Sequence, residues 1–356
     1  MTAAGMSQNL GGQALSGRLP RRGAMAMPGR RRNADTTTIT TPVESPNQLA
    51  LRRLKENRFA QVAAVIFTLL VLCCLSASLF ESSWAGRTAN QQNLSGSIVK
   101  GGKKVEVVSL RGVPQAGPGF HRHYMLGADA LGRDVFMRVL RGGAVSLTIG
   151  LGAAIITVLI GTAIGTAAGY FGGKIDAITS QLIDIMLAYP AMIFAIALSM
   201  SLASGPGFWF IKRGSISLPL LIIGIGGAPY FARIIRSKAL ELSNREFVEA
   251  ARALGAGHVR IMTREIVPHL MTTVITYFGV LVSADIITEA GLSFLGVGVL
   301  PPVPSWGTLI ADGRDFYNTA WWIAFFPGVA IIITVLTINI MGEALEEAFD
   351  PKSGGR

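Results

Sequence analysis

The sequence predicts an all-α, polytopic membrane protein with six membrane-crossing helices, and three observations carry that reading. Half of the 356 residues are hydrophobic and only 15% are charged, against roughly a quarter charged in soluble domains. The apolar residues gather in runs of about twenty or more, long enough at about 1.5 Å per residue to cross a hydrocarbon core about 30 Å thick. The formal net charge of +11 sits beside those runs, so it is read as a record of membrane orientation, with no nucleic acid among the partners. The two cysteines, Cys73 and Cys74, are neighbours inside an apolar run and offer neither a disulfide framework nor a zinc site.

Residues 1–50, with RRGAMAMPGRRR and TTTITTP, show no apolar periodicity and read as a disordered cytoplasmic tail. Segment 51–80 carries the first span, residues 59–80; it lies too deep in the chain and runs too long for a cleaved signal peptide, and reads as an uncleaved anchor. Residues 81–143 form an external segment. Within it Gly132-Arg133-Asp134 opens a stretch in which Val135, Val139 and Leu140 can face one way and Arg133 and Arg141 another, the pattern of a helix lying at the outer interface. Further spans at 144–170, 177–203, 215–237, 266–287 and 321–342 make a five-helix core over 144–342, followed by a cytoplasmic tail, 343–356. The second span places Gly161, Gly165 and Gly169 at every fourth position. That spacing is either a surface for close helix packing or the ordinary frequency of glycine in membrane helices.

An even number of spans puts both termini on one side. Arg52, Arg53, Lys55 and Arg58 against Glu56 mark that side as cytoplasmic. The segment between spans four and five then also falls inside, with Arg233, Arg236, Lys238, Arg245, Arg252, Arg260 and Arg264. Arg133, Arg138 and Arg141 run against this assignment, but long segments follow the charge rule weakly.

That inner segment (238–267) contains EFVEAARALGAG, residues 246–257, too polar to cross a membrane and too regular for a linker. Ser243 followed three residues later by Glu246 has capping-box spacing and predicts a helix start at Ser243. Phe247, Ala250, Ala251 and Leu254 fall on one face, while Arg245, Glu249 and Arg252 occupy another. Gly255 and Gly257 supply a stop, and Pro268 suits the opening of the next span. A small-faced amphipathic rod with one aromatic suits a groove in another protein better than the bilayer interface; packing against its own chain is the third reading.

Glu249-Ala250-Ala251, Gly255 and Ile266-Val267-Pro268 resemble the EAA loop of ABC importer permeases. LGADALGRDVFMRVLRGGAVSLTIG (126–150), YFGGKIDAITSQLIDIMLAYP (170–190), EAGLSFLGVGVLPPVPSWGTLI (289–310) and GEALEEAFDPK (342–352) are similar to the dipeptide/oligopeptide subfamily, specifically its second permease subunit. The resemblance covers roughly residues 51–352 and departs from the subfamily at Ala128, where threonine is frequent. It implies the type I importer permease fold with a cytoplasmic coupling helix, placed in a bacterial inner membrane. It implies partners too: a second permease subunit, two cytoplasmic ATPase subunits or domains, and an extracytoplasmic solute-binding protein. By the same resemblance Phe247, Glu249, Ala250, Ala251, Leu254 and Gly255 couple the chain to the ATPases, Glu249 fixing register; a solvated charge paired with Arg245 or Arg252 is the competing reading of Glu249. The solute it implies is a di- or oligopeptide, with nickel complexes or sugars as the alternative.

The chain itself is expected to be no enzyme and to bind no cofactor or metal, with ATP and Mg held by the partner subunits. The nearest approach to a phosphate-cradling loop, AGYFGGKI (168–175), lacks the first glycine and ends on Ile175 where magnesium needs Ser or Thr. An ion-driven carrier should show paired broken helices in two similar halves, which the sequence lacks; a membrane protease should show HExxH or GxSxG, also absent. A scaffold without transport stays open. Asp184, within the third span, and Asp285 and Glu289, near the outer end of the fifth, are candidates for the solute pathway, because ionisable groups at membrane depth are costly; helix packing or interfacial solvation is the competing reading. His121 and His123 form one alternating pair, a weak metal signal. Ser305-Trp306-Gly307 is expected in an external segment, with the aromatic at the interface or in a gate.

Overall fold

The computed structural model describes residues 52–100, 102–119, 123–204 and 215–349. The expected tail 1–50, His121 and the last residues of the C-terminal tail lie outside them. Five helices are long and apolar enough to span a membrane, and a bent pair makes a sixth when counted as one span. These are α1 (Arg58–Leu75), α2 (Val135–Phe171), the pair α3 (Gly173–Ala188) and α4 (Ala191–Ser204), α5 (Ser217–Ser243), α7 (Val267–Phe294) and α9 (Trp322–Phe349). Between α5 and α7 lies the short α6 (Glu246–Ala253), and α8 (Trp306–Gly313) precedes α9. The strands among the described residues are one antiparallel hairpin, β1 (Ser97–Lys100) and β2 (Lys103–Glu106), with Ile98 opposite Val105.

Two boundaries differ from expectation for identifiable reasons. The expected interfacial helix is the opening of α2 itself, because Asp134 caps the helix there by accepting from the Phe136 and Met137 N–H groups. The third span is two helices meeting at 86°. Pro190 disfavours helical backbone at the residue before it, and Tyr189 is extended at φ −86°, ψ 136°.

α2 and α5 approach at the level of their backbones. A Cβ on Gly161 would stand 3.1 Å from the Ala228 carbonyl oxygen, one on Gly165 2.5 Å from that of Ala232, and one on Gly169 2.7 Å from that of Arg236. The every-fourth-residue glycines are therefore a packing surface. Gly224 of α5 returns the contact, its Cβ position 2.9 Å from the Ala153 oxygen, and Thr157 Oγ1 donates to the Gly224 carbonyl at 2.9 Å. The core beside this seam is formed by Phe231, Ile235, Ile266, Leu270, Ile286 and Trp306.

The described residues between 86 and 134 build a lobe at the end where α2 begins. Buried Asp129 takes Arg133 and Arg138 at 2.6 Å each, and both arginines also reach Asp312, at 3.1 and 3.2 Å. Burial pushes the Asp312 carboxyl above its ordinary range, with the two arginines pulling it back. Asp134 also accepts from the Tyr124 N–H at 2.9 Å, and Trp322 Nε1 donates to the Ala128 carbonyl at 3.0 Å, so the lobe is pinned to both α2 and α9. At the opposite end Arg53 donates to the Ala348 carbonyl at 3.4 Å, which brings the start of α1 and the close of α9 together.

Gly165→Leu is expected to force α2 and α5 apart. Overpacking of this kind costs about 1–3 kcal/mol or more, so the Tm of the purified protein in detergent should fall by several degrees, while Gly328→Ala, where a Cβ meets nothing within 4 Å, should leave it unchanged or raised.

Candidate functional site

The loop between α5 and α7 is built around one buried side chain. Val248 of α6 is fully buried in the same core cluster as Tyr170, Ala239, Ile261 and Ile266. Phe247 stacks on the His269 ring, centroids 4.7 Å apart and planes at 21°. Arg252 lies over the Tyr170 ring at 5.6 Å, and the Tyr170 hydroxyl pairs with His258 Nδ1 at 2.9 Å. α6 thus touches the ends of α2, α5 and α7 through side chains that only the fold brings together.

The capping box expected at Ser243 does not form. α5 continues through Ser243, whose hydroxyl donates to the Leu240 carbonyl at 2.9 Å and the Gly169 carbonyl at 3.5 Å. The N-cap position of α6 is Arg245, in extended backbone and without a side-chain cap. The helix ends as expected at Gly255, which adopts φ +80°, a region open to glycine at little cost.

The apolar face is also turned from the expected one. Phe247 and Ala251 are half-buried against the bundle, whereas Glu249 and Ala250 are exposed and Leu254 is 88% exposed. A loop lying on its own bundle must bury something there, and the β-branched Val248 fits that space, so it sets the rotation of the helix. Arg245 pairs with Glu241 at 2.6 Å and Arg252 with the Tyr170 ring, which leaves Glu249 without an ion pair among the described residues. Val248, Tyr170 and His258 were missed by sequence reasoning. Val248 stands one position off the chosen face, and nothing in the spacing links Tyr170 to a residue 88 positions away.

Of the three candidate acids, Asp285 and Glu289 lie one turn apart on α7 and Asp184 stands on α3. Asp184 is exposed and pairs with Arg233 across α3 and α5, next to the parallel pair Asp176–Arg236. Glu289 is fully buried and accepts from Ser146 Oγ at 2.7 Å and Ser293 Oγ at 2.6 Å. The Trp306 N–H in turn donates to Ser146 Oγ at 3.1 Å. Ser305-Trp306-Gly307 is therefore an internal anchor: Trp306 is fully buried with Nε1 donating to the Val139 carbonyl at 3.0 Å, and Ser305 caps α8 through a capping box with Thr308. Asp285 opens onto a cavity of about 570 Å³ shared with the α3–α4 bend and α5. Among the described residues no group of three metal-ligating side chains occurs; His121, the other member of the expected pair, lies outside them.

Long apolar helices, one bent pair and a short helix displayed at one end are the architecture of a polytopic membrane protein. Residues 161–354 match the family described as binding-protein-dependent transport system inner membrane component, and residues 45–95 match the N-terminal TM domain of oligopeptide transport permease C. The chain belongs to this family of ABC importer permeases. The dipeptide transport system permease protein DppC of Alkalihalophilus pseudofirmus is 34% identical over 86% of this chain and 90% of its own length. DppC of Bacillus subtilis is 33% identical over 90% of each, and the di/tripeptide permease DppC of Pseudomonas aeruginosa is 37% identical over 66% of this chain and 74% of its own. Among solved structures, inward-facing conformations of the MetNI methionine ABC transporter cover 60% of this chain and 96% of theirs at 17% identity, with a TM-score of 0.49.

Glu289→Ala removes the acceptor of two buried hydroxyls and is expected to destabilise the protein by about 1–3 kcal/mol. Glu289→Gln keeps an acceptor oxygen and should cost less, a difference that thermal unfolding in detergent resolves.

Proposed function

We propose that the chain is one of two permease subunits of an ATP-driven importer for di- or oligopeptides in a bacterial inner membrane, with both termini and α6 on the cytoplasmic side. The single observation that carries this reading is the mounting of α6: Val248 clamps one side of the helix into the bundle while Glu249, Ala250 and Leu254 stand exposed on the other. A fully solvated Leu254 beside alanine offers apolar relief for a groove, and an unpaired Glu249 offers a charge to set register. The peptide as solute is supported by what the relatives are named for.

In this reading a separate ATPase subunit receives the outer face of α6, ATP and Mg staying on that subunit, and an extracytoplasmic binding protein delivers solute at the lobe end. Nucleotide-driven closure of the ATPases displaces α6. Its contacts to Tyr170 of α2, to the end of α5 and to His269 of α7 then move three spans together, which is how a packed element converts a local push into a two-state change. Asp184–Arg233 and Asp176–Arg236 make α3 follow α5, so the bent span moves with the group.

Glu249→Arg combined with Leu254→Asp is expected to lower ATP-driven uptake of a tripeptide by the complete transporter in proteoliposomes at least about tenfold, equivalent to about 1.4 kcal/mol. ATPase co-purification should weaken in parallel. Intact assembly with normal uptake would remove the coupling role from this face.

A further inference from the structure

The bend between α3 and α4 and the facing sides of α5 and α7 enclose the 570 Å³ cavity, within the size range of small-molecule sites. Its walls are mainly apolar, with Tyr189 and Phe194 from the bend and Ile222 from α5. At Gly226 a Cβ would meet nothing within 4 Å, so the wall there is recessed. Asp285 and Thr288 enter from α7, and Tyr189 brings a hydroxyl-bearing ring from the bend. The Thr288 hydroxyl donates back to the Ala284 carbonyl at 2.8 Å, leaving its lone pairs as acceptors.

Asp285 is only 6% exposed, and its Oδ2 has no hydrogen-bond partner. The arginines of the neighbouring α5 are committed elsewhere, Arg233 to Asp184 and Arg236 to Asp176. A buried carboxylate without a countercharge is costly, and every other acid of the bundle interior has a partner. The cavity therefore presents one unpartnered carboxyl oxygen to whatever enters it.

We propose that Asp285 receives the cationic ammonium group of the solute, the amino terminus of a peptide, with the neighbouring side chains resting against Tyr189, Phe194 and Ile222. The inference rests on the peptide-import reading and deepens it. One carboxylate and two hydroxyls fall far short of the six to eight oxygens that a calcium-like cation needs. An ammonium needs only a few acceptors and is compatible with aromatic faces nearby.

The test uses the complete transporter in proteoliposomes, with trialanine and N-acetyl-trialanine each at a concentration that saturates the binding protein. The wild type should import the free amine at least about tenfold faster. Asp285→Asn should bring the ratio close to one with assembly intact, and Gly226→Leu, which fills the recess, should slow both peptides alike. An unchanged ratio in Asp285→Asn overturns the proposal. Loss of the second permease from the purified Asp285→Asn complex also overturns it, by making Asp285 an interface residue. Absence of ATP-driven uptake of either peptide by the wild type would remove the import reading and this inference with it, a result distinct from wild-type uptake with an unchanged mutant ratio.

Discussion

The close approach of α2 and α5 is the constraint from which the rest of the bundle follows. In hydrocarbon there is no hydrophobic gain in bringing two apolar helices together, so association depends on how many atoms come within dispersion range. Gly161, Gly165 and Gly169 let the backbone of α5 lie against α2 over more than two turns. That seam fixes where α5 ends. Ser243 then reaches the Gly169 carbonyl, and Tyr170 meets both His258 and Arg252. The short helix α6 has its position because a row of missing side chains lies one turn behind it.

The acids of the bundle obey a second constraint, that a charge at membrane depth is costly without a partner of its own. Asp176 and Asp184 take arginines from α5, and Glu289 takes two serine hydroxyls. At the lobe end Asp129, Arg133, Arg138 and Asp312 form a closed set in which each charge meets an opposite one. In these networks each acid has a partner within the chain. Against that background Asp285 stands apart: it faces a cavity, and its second oxygen is unpaired.

The two ends of the bundle are built on different physics. The lobe is held by buried ion pairs and backbone hydrogen bonds, including Trp322 on Ala128, which suits a platform that keeps its shape. The α6 end is held by ring stacking, one buried valine and a single tyrosine–histidine contact. Such contacts fix the short helix against three helix ends.

Much of this was legible in the residues. Hydropathy located the spans, because crossing hydrocarbon requires a long apolar run wherever the chain lies. The glycine spacing marked one face of α2, and Gly255 marked the stop of α6, since both are properties of a few adjacent residues. The bend at Tyr189-Pro190 was present in the sequence as a proline but was read through, because an apolar run hides a break in direction. What only the tertiary structure decided is which face of α6 is free and which acid is unpaired. Glu289 meets Ser146 from 143 positions away and Tyr170 meets His258 from 88; pairings of that reach are set by how whole helices pack, and no local pattern of residue types encodes them.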